Sequence, residues 1–200
     1  MTETAQREAA TGAPGDGQRA AVRRVVVLGA SGSGKSTFAG ALAARLGVPH
    51  VELDALHWGP RWTPVAVATL RARVCAATEA GGWVVDGNYS PVRDLTWERA
   101  DTLVWLDYPL ALVLARLLRR TLTRIWRREE LWGTGNREEW GNVFFARDSL
   151  LRWSIGQHRR QRRTYPGLLA GESAGRRWHR FRTPGAAAAW LRTVAPAGAG

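Results

Sequence analysis

The stretch Gly29-Ala30-Ser31-Gly32-Ser33-Gly34-Lys35-Ser36 matches the phosphate-binding pattern G-x-x-x-x-G-K-[S/T] at every fixed position. In that pattern, the N–H groups of a glycine-rich loop and of the following helix N-terminus hold anionic phosphates. Lys35 is the only lysine in a chain with 28 arginines, and its compact charge on a flexible stem can reach the β- and γ-phosphates of a nucleotide. We therefore predict that ATP binds on residues 29–37, ending at Thr37, and that the Ser36 hydroxyl binds Mg²⁺.

The residues on either side of this loop supply the strand and the helix that the motif requires. Val25-Val26-Val27-Leu28 is a short, mostly β-branched run of the kind found in buried parallel strands. Apolar side chains then recur every four residues from Phe38 to Leu46, which predicts a helix that ends at Gly47. A chance match would lack this context, although an arginine-rich coding bias would also account for the single lysine.

Strands and helices alternate through the rest of the chain. The further predicted strands are His50–Leu53, Trp83–Val85, Thr102–Leu106 and Trp178–Phe181. One further predicted helix has Thr63 as its N-cap and Pro64 at its first position, and it ends before Gly81. Three more helices are predicted over about residues 109–126, 137–163 and 184–194. This alternation predicts an α/β fold with a parallel sheet covered on both faces.

Composition indicates one globular domain over residues 22–194, with disordered tails at 1–21 and 195–200. A mobile, glycine-containing segment at 129–141 is predicted inside a lid of about residues 127–163. Cys75 is the only cysteine, which excludes an internal disulfide and a multi-cysteine metal site, and its apolar helical neighbours predict that it packs inside. The chain shows no signal peptide and no run of ~18 apolar residues, so we expect a cytoplasmic protein with no membrane partner, either monomer or dimer.

A glycine or a charged residue stands at the carboxyl end of each predicted strand: Gly29, Asp54, Asp86, Asp107 and Arg182. Ligands of open parallel sheets bind beyond these ends, so we expect the five positions to converge on one site. Asp86, at the tip of an apolar strand beside a phosphate loop, is a predicted Mg²⁺ ligand. The alternative is that Asp86 only begins an Asp-Gly-Asn turn.

Polar and aromatic residues near the second and third strands are candidates for binding a phosphate acceptor. Asp54 could accept the proton of a substrate hydroxyl or hold that hydroxyl, and its alternative role is a helix N-cap. His57 could share a helical face with Asp54. Arg93 is predicted to bind an acceptor phosphate or the transferred one. Trp58 and Trp62, two of eleven tryptophans, could stack on a base or another ring.

Much of the net charge of +12 lies between Arg116 and Arg163, a range with 13 arginines and five acidic residues. Two arginine groups flank the glycine-containing segment: Arg124, Arg127 and Arg128 before it, and Arg159, Arg160, Arg162 and Arg163 after it. Such groups suit a lid that closes over a triphosphate, with Arg124 and Arg128 as predicted catalytic residues and Trp132 and Trp140 at its border. The same charges would fit a nucleic-acid surface, which tryptophans can help to grip, or a solvated helical face.

Three longer runs, 51–58, 85–89 and 121–132, resemble bacterial proteins known as topology modulation proteins, which are placed among the adenylate-kinase-like P-loop nucleoside and nucleotide kinases. The resemblance covers about residues 23–193. It implies a five-stranded parallel sheet in the order 2-3-1-4-5, with the turn Arg182-Thr183-Pro184 near the adenine of ATP. Nucleoside monophosphate kinases usually have Asp-Gly-Phe-Pro-Arg where this chain has Asp86-Gly87-Asn88-Tyr89-Ser90. In its acid after the second strand, Asp54, the chain is instead similar to kinases for shikimate and gluconate.

The sequence therefore predicts a phosphotransferase that uses ATP and Mg²⁺ and acts on a nucleoside, a nucleotide or another small hydroxyl compound. The alternative is an ATP-binding regulatory protein that associates with DNA or RNA through its arginines and has little kinase activity. The absence of a helix-turn-helix, OB-fold or RNA-recognition signature favours the first interpretation.

Overall fold

The computed structural model describes residues 22–141, 150–172 and 176–196. The predicted tail at 1–21 and residues 197–200 lie outside these ranges, as do residues 142–149 of the predicted lid. The strands are β1 Arg24–Gly29, β2 His50–Glu52, β3 Trp83–Asp86, β4 Thr102–Leu106 and β5 Arg177–Phe181. The helices are α1 Lys35–Leu46, α2 Leu53–His57, α3 Val67–Ala77, α4 Arg93–Thr96, α5 Leu110–Arg127, α6 Leu150–Glu172 and α7 Pro184–Thr193. Short 3₁₀ turns lie at Pro60–Trp62 and Ser90–Val92.

All five strands form one parallel sheet in the order β2-β3-β1-β4-β5, which confirms the predicted fold and strand order. Strand β1 lies at the centre, with Val27 opposite Asp86 of β3 on one side and opposite Val104 of β4 on the other. The order reverses direction at β1, so a crevice opens beyond its carboxyl end.

Alternate side chains of β1 enter two separate hydrophobic layers, one on each face of the sheet. Val26 and Leu28 pack with residues of α3, α4 and α6, while Val25 and Val27 pack with residues of α1, α5 and α7. Each of these four side chains is fully buried. A strand covered on both faces must be apolar throughout, which is why β1 is readable in the sequence as a continuous apolar run.

Helix α3 begins later than predicted. Its first residue is Val67 and its N-cap is Ala66, so the prediction of Thr63 as N-cap and Pro64 as first helical residue is wrong. Pro64 instead pairs with Trp58 in an isolated antiparallel bridge, and the N–H of Val65 donates to the carbonyl of His57 at 2.9 Å. These contacts close residues 58–65 into a loop.

Two further predictions of local structure are corrected. Residues 137–139 are not helical, and α6 extends past Arg163 to Glu172 with Pro166 inside it, so the predicted helix over 137–163 has the wrong bounds. Cys75 is exposed on α3, so its predicted packing role is wrong. Helix α3 buries Leu70 and Val74 on one face, and Cys75 follows Val74 on the other.

A buried carboxylate attaches α6 to the sheet. Asp107, directly after β4, is only 2% exposed. Its two oxygens accept hydrogen bonds from Arg162 of α6 at 2.6 Å and from Arg180 of β5 at 2.9 and 2.5 Å. Asp107 therefore does not join the other strand ends at a ligand site, because both of its oxygens are committed to arginines.

No helix within the described residues combines the length and the apolar character needed to cross a bilayer.

Asp107→Asn is expected to lower the free energy of unfolding by about 3 kcal/mol, because it removes the negative charge from two arginines while keeping a buried polar group. The matched control is Asp94→Asn, which breaks the exposed ion pair with Arg71 and is expected to cost much less, because water screens exposed charges. Urea unfolding of both variants measures the difference. Equal losses in the two variants would contradict the anchoring role of Asp107.

Candidate active site

A cleft of about 1250 Å³ opens beyond the carboxyl ends of β1, β2 and β3. Its walls come from the phosphate loop, the start of α1, one side of α5 and parts of α6 and α7. The turn after α5 and the loop after α2 complete it. The predicted site residues Gly29, Ser31, Gly32, Ser33, Gly34, Lys35, Ser36, Thr37, Asp54 and Arg124 all line this cleft.

The phosphate loop has the backbone that anion binding requires. Gly32 and Gly34 have φ values of +90° and +85°, which favour glycine, and α1 begins at Lys35 immediately after them. The first N–H groups of a helix have no partner inside it, so α1 presents them to the cleft. Ala30, predicted to contact ATP, is 2% exposed beneath the loop in the hydrophobic layer of α1.

Both α5 and α6 hold the phosphate loop in place. On α6, the Ser154 hydroxyl donates to the Ser31 carbonyl at 3.1 Å, and the Gln157 side-chain oxygen accepts from the Ser31 N–H at 3.1 Å. On α5, Arg116 donates to the Ser33 carbonyl at 3.3 Å and Arg120 lies 3.5 Å from the Ser31 hydroxyl. The loop is therefore held from two sides by side chains of α5 and α6.

The cleft includes arginines that our sequence interpretation missed. Arg116 and Arg120, which were not singled out in the sequence, line it together with Arg124. Arg160 of α6, a member of the second predicted arginine group, also lines it. A signal was available, because positions 116, 120 and 124 lie four residues apart and share one face of a helix. Arg124 pairs with Glu138 at 3.0 Å, which connects α5 to the turn that follows it.

Three arginines that were predicted as site residues lie outside the cleft. Arg128 is the left-handed C-cap of α5, with φ +49°, and it is exposed. Arg93 stacks its guanidinium 4.5 Å from the centroid of the Trp97 ring and does not line the cleft, although its Nε is buried without a partner in the described ranges. Arg182 is exposed outside the cleft, whereas Pro184 two residues later contributes to an apolar wall with Phe38 and Leu191.

A polar group suited to Mg²⁺ lies where the phosphate loop meets β2 and β3. The Ser36 hydroxyl is 3.2 Å from Asp86 Oδ1 and 3.4 Å from Glu52 Oε1. Asp86 is 1% exposed, and its other oxygen pairs with His50 at 2.7 Å. Glu52 was missed in the sequence, where it is one of two acids at the end of a three-residue strand. Burial, followed by the charge of Asp86, raises the pKa of Glu52.

This polar group fits Mg²⁺ better than a metal that needs a protein cage. Within the described ranges, no set of three or more His, Cys, Asp or Glu side chains is arranged to hold a metal ion. Mg²⁺ is commonly bound by one or two carboxylates together with waters and substrate phosphates. Ser36 and Asp86 supply one hydroxyl and one carboxylate beside the phosphate loop, which matches that requirement.

Asp54 faces the cleft from α2 and is held by Tyr89. The Tyr89 hydroxyl donates to Asp54 Oδ1 at 2.7 Å, which leaves the other carboxylate oxygen for a ligand. Burial, with the negative charge of Asp54, raises the pKa of Tyr89, so the phenol stays protonated and keeps donating. The His57 ring packs 4.7 Å from Trp58 and 4.5 Å from Tyr89 and does not line the cleft. Burial lowers the pKa of His57.

Three tryptophans form one wall of the cleft. Trp62 lies edge-to-face with Trp58 and with Trp132, each at a centroid distance of 5.9 Å. The turn after α5 is fixed to this wall by Asn136, which is 2% exposed. The Asn136 side chain accepts a hydrogen bond from the backbone N–H of Trp62 at 2.8 Å and donates one to the Gly59 carbonyl at 2.9 Å. Residues predicted as a mobile segment thus include a hydrogen-bonded turn that closes the cleft.

Comparison with solved structures identifies the fold. The chain is similar to shikimate kinase from Acinetobacter baumannii in complex with shikimate, with a TM-score of 0.52, 15% identity and coverage of 86% of this chain and 90% of that one. Shikimate kinase from Bacteroides thetaiotaomicron gives a TM-score of 0.51, 15% identity and coverage of 86% and 96%. A gluconokinase from Sinorhizobium meliloti 1021 gives a TM-score of 0.47, 21% identity and coverage of 88% and 95%. No protein-family model matches the chain, and no curated protein matches it by sequence. The fold is that of the P-loop kinases.

Gly32→Ala is expected to destabilise the protein by about 4 kcal/mol, because it combines backbone strain with overpacking. A Cβ at Gly32 would lie 2.4 Å from the Val113 carbonyl oxygen and 2.8 Å from Leu117 Cβ, both on α5. Gly133→Ala is the matched control, since Gly133 also has a positive φ, +64°, but nothing within 4 Å of its added Cβ, and it is expected to cost about 1–2 kcal/mol. Thermal unfolding compares the two. A similar loss in both would show that contact with α5 does not restrict Gly32.

Proposed function

We propose that this protein is a phosphotransferase that uses ATP with Mg²⁺ and transfers a phosphoryl group to a hydroxyl of a small molecule. The observation that carries this proposal is that one continuous cleft is lined by Lys35, by Ser36 and by the Asp54–Tyr89 pair, with the buried Asp86 carboxylate 3.2 Å from the Ser36 hydroxyl. A nucleotide-binding protein without an acceptor has no use for the third element. The P-loop kinase fold supports the proposal at the level of architecture.

The phosphate half of the cleft is suited to a nucleotide triphosphate. Lys35 and the N–H groups of the loop would hold the phosphates, and Arg116 and Arg120 already lie against the loop carbonyl and hydroxyl groups. Fixed cations stabilise the charge that develops on the transferred group without reorganising during the reaction. Phe38, Pro184 and Leu191 form an apolar wall on which the nucleotide base can pack. Mg²⁺ held by Ser36 and Asp86 would neutralise phosphate charge when bound.

The acceptor side is suited to positioning a hydroxyl. Asp54 can accept a hydrogen bond from the acceptor hydroxyl and take its proton during transfer. The hydrogen bond from Tyr89 fixes the orientation of the Asp54 carboxylate before the acceptor arrives. The turn after α5, attached through Asn136, limits the access of water to this side of the cleft.

A second candidate function follows from the arginines that the cleft does not use. Arg119, Arg127, Arg128, Arg159 and Arg163 are exposed on α5 and α6. Exposed cations in this number could bind a nucleic-acid backbone. Binding of DNA or RNA that weakens steeply between low and physiological salt would support an ATP-binding regulatory protein. Absence of binding at low salt would eliminate this candidate.

Lys35→Ala is expected to reduce ADP release from Mg²⁺-ATP by at least about 100-fold in the presence of an acceptor, because it removes a cation from the phosphates. The unfolding transition should not change. Arg128→Ala is the matched control, since it removes an arginine that is exposed outside the cleft, and it should retain turnover. ADP release by a coupled assay measures both variants. Undiminished turnover in Lys35→Ala would refute the proposed function.

A further inference from the structure

The cleft has two halves of opposite chemical character. The phosphate half contains the phosphate loop with Arg116 and Arg120. The acceptor half is formed by Asp54, Trp58, Trp62, Asn88, Tyr89 and Trp132, with Glu52 and Glu138 beside them. The side chains of the acceptor half restrict the chemistry of the molecule that receives the phosphoryl group.

Four of the six side chains that form the acceptor half are aromatic. The wall of Trp58, Trp62 and Trp132 contains backbone strain, because Trp62 and Trp132 have φ values of +55° and +56°. Large side chains rarely adopt this conformation, and such strain is retained at ligand sites when the surrounding structure enforces it. At Trp62, the hydrogen bond from its backbone N–H to the Asn136 side chain holds the backbone in this conformation. Indole surfaces of this kind pack against the apolar face of a ring and attract cations.

The donors of the acceptor half include the Tyr89 hydroxyl and the Asn88 amide, which are already used, whereas the buried polar atoms that lack a partner there are acceptors. Asp54 contributes a carboxylate with one oxygen not used by Tyr89. Asn88 Oδ1 and Glu138 Oε2 are buried, and neither has a hydrogen-bond partner within the described residues. Buried acceptors without donors are costly, so a ligand that brings hydroxyl or ammonium groups gains by satisfying them. A carboxylate or phosphate brings further acceptors and would be repelled by Asp54.

The arginines that could pair with an anionic acceptor are engaged elsewhere or exposed. Arg124 is paired with Glu138, and Arg116 contacts the phosphate loop. Arg120 lies 3.5 Å from the Ser31 hydroxyl and 3.7 Å from Glu138, and its Nε is buried without a hydrogen-bond partner among the described residues. Arg137 and Arg160 are the other arginines of the cleft wall within the described ranges, and both are exposed, where water screens their charge.

Neighbouring arginines outside the cleft are also engaged. Arg71 of α3 makes two hydrogen bonds with Asp94. Arg93 stacks on Trp97 and does not reach the cleft wall. An anionic acceptor would therefore meet carboxylates and indoles in the acceptor half. The partly buried cation nearest to it is Arg120, whose charge is already opposed by Glu138, Asp54 and Glu52, and these three carboxylates outnumber Arg120 and Arg124.

We propose that the phosphate acceptor is a cyclic polyol or amino polyol that carries no carboxylate or phosphate group. This inference rests on the phosphotransferase function proposed above. The acceptor hydroxyl oxygen forms a bond to the γ-phosphorus of ATP while the bond from that phosphorus to the bridging oxygen breaks. ADP leaves with the electron pair, and the hydroxyl proton passes to Asp54 and then to solvent. The ring of the acceptor packs on the tryptophan wall during the transfer.

The test compares two pools of matched acceptors with the full chain and Mg²⁺-ATP. The first pool contains hexoses, hexosamines, inositols and nucleosides, and the second contains the corresponding uronic acids, inositol monophosphates and nucleoside 5′-monophosphates. ADP release, with phosphorus NMR of the product, is expected to give a kcat/KM at least about 100-fold higher for the best member of the first pool than for its anionic counterpart. Preference for the anionic pool would overturn this inference and leave the phosphotransferase proposal intact, whereas no turnover with either pool would overturn both.

A variant of the wall tests its role directly. Trp62→Ala is expected to raise the KM for the accepted polyol at least about 10-fold and to leave the KM for ATP unchanged, because it removes ring contact on the acceptor side only. Trp62→Phe, which keeps an aromatic ring, should restore most of the affinity, and Trp126→Ala, at a position on α5 that is 84% exposed, is the control. An unchanged KM for the polyol in Trp62→Ala would overturn the role of the wall.

Discussion

Strand β1 is buried on both faces and hydrogen-bonded on both edges, and this position determines where the phosphate loop leaves the sheet. Because the four side chains from Val25 to Leu28 alternate between two hydrophobic layers, β1 cannot shift along its neighbours without exposing one layer. The phosphate loop therefore begins at a fixed point, the carboxyl end of β1. Gly32 then packs so closely on α5 that no Cβ fits, and α6 hydrogen-bonds both backbone groups of Ser31.

The attachment of α6 shows how charge maintains this arrangement at a distance from the cleft. Asp107 lies at the end of β4, where the simplest expectation for a parallel sheet is a ligand contact. It is instead surrounded by two arginines, one from α6 and one from β5. The helix that clamps the phosphate loop is thereby connected to the edge of the sheet. A strand-end carboxylate can thus support a site without touching the ligand.

The sequence was sufficient for the fold because the fold depends on local patterns. The apolar runs of β1 and β4, the helical spacing after Lys35 and the phosphate loop are each contained within a short window. The strand order was obtained through a family resemblance rather than from these patterns. Errors arose where a tertiary contact outweighed a local preference. Thr63-Pro64 is a good helix start in isolation, but the bridge between Trp58 and Pro64 takes that segment into a loop.

The candidate site shows the same division between features set by a short stretch of sequence and features set by tertiary contacts. Sequence alone determined the phosphate loop, its single lysine and the carboxylates Asp54 and Asp86, because the chemistry of each is set by its own short motif. Only the tertiary structure showed that Arg116 and Arg120 face the loop while Arg128 caps a helix. It also showed that Asn136 holds the strained backbone of Trp62, in a wall of the cleft that Asp54 also lines. These features depend on contacts between residues that are far apart in the chain, and the direction in which a side chain points is decided by the packing of the elements rather than by the residues beside it.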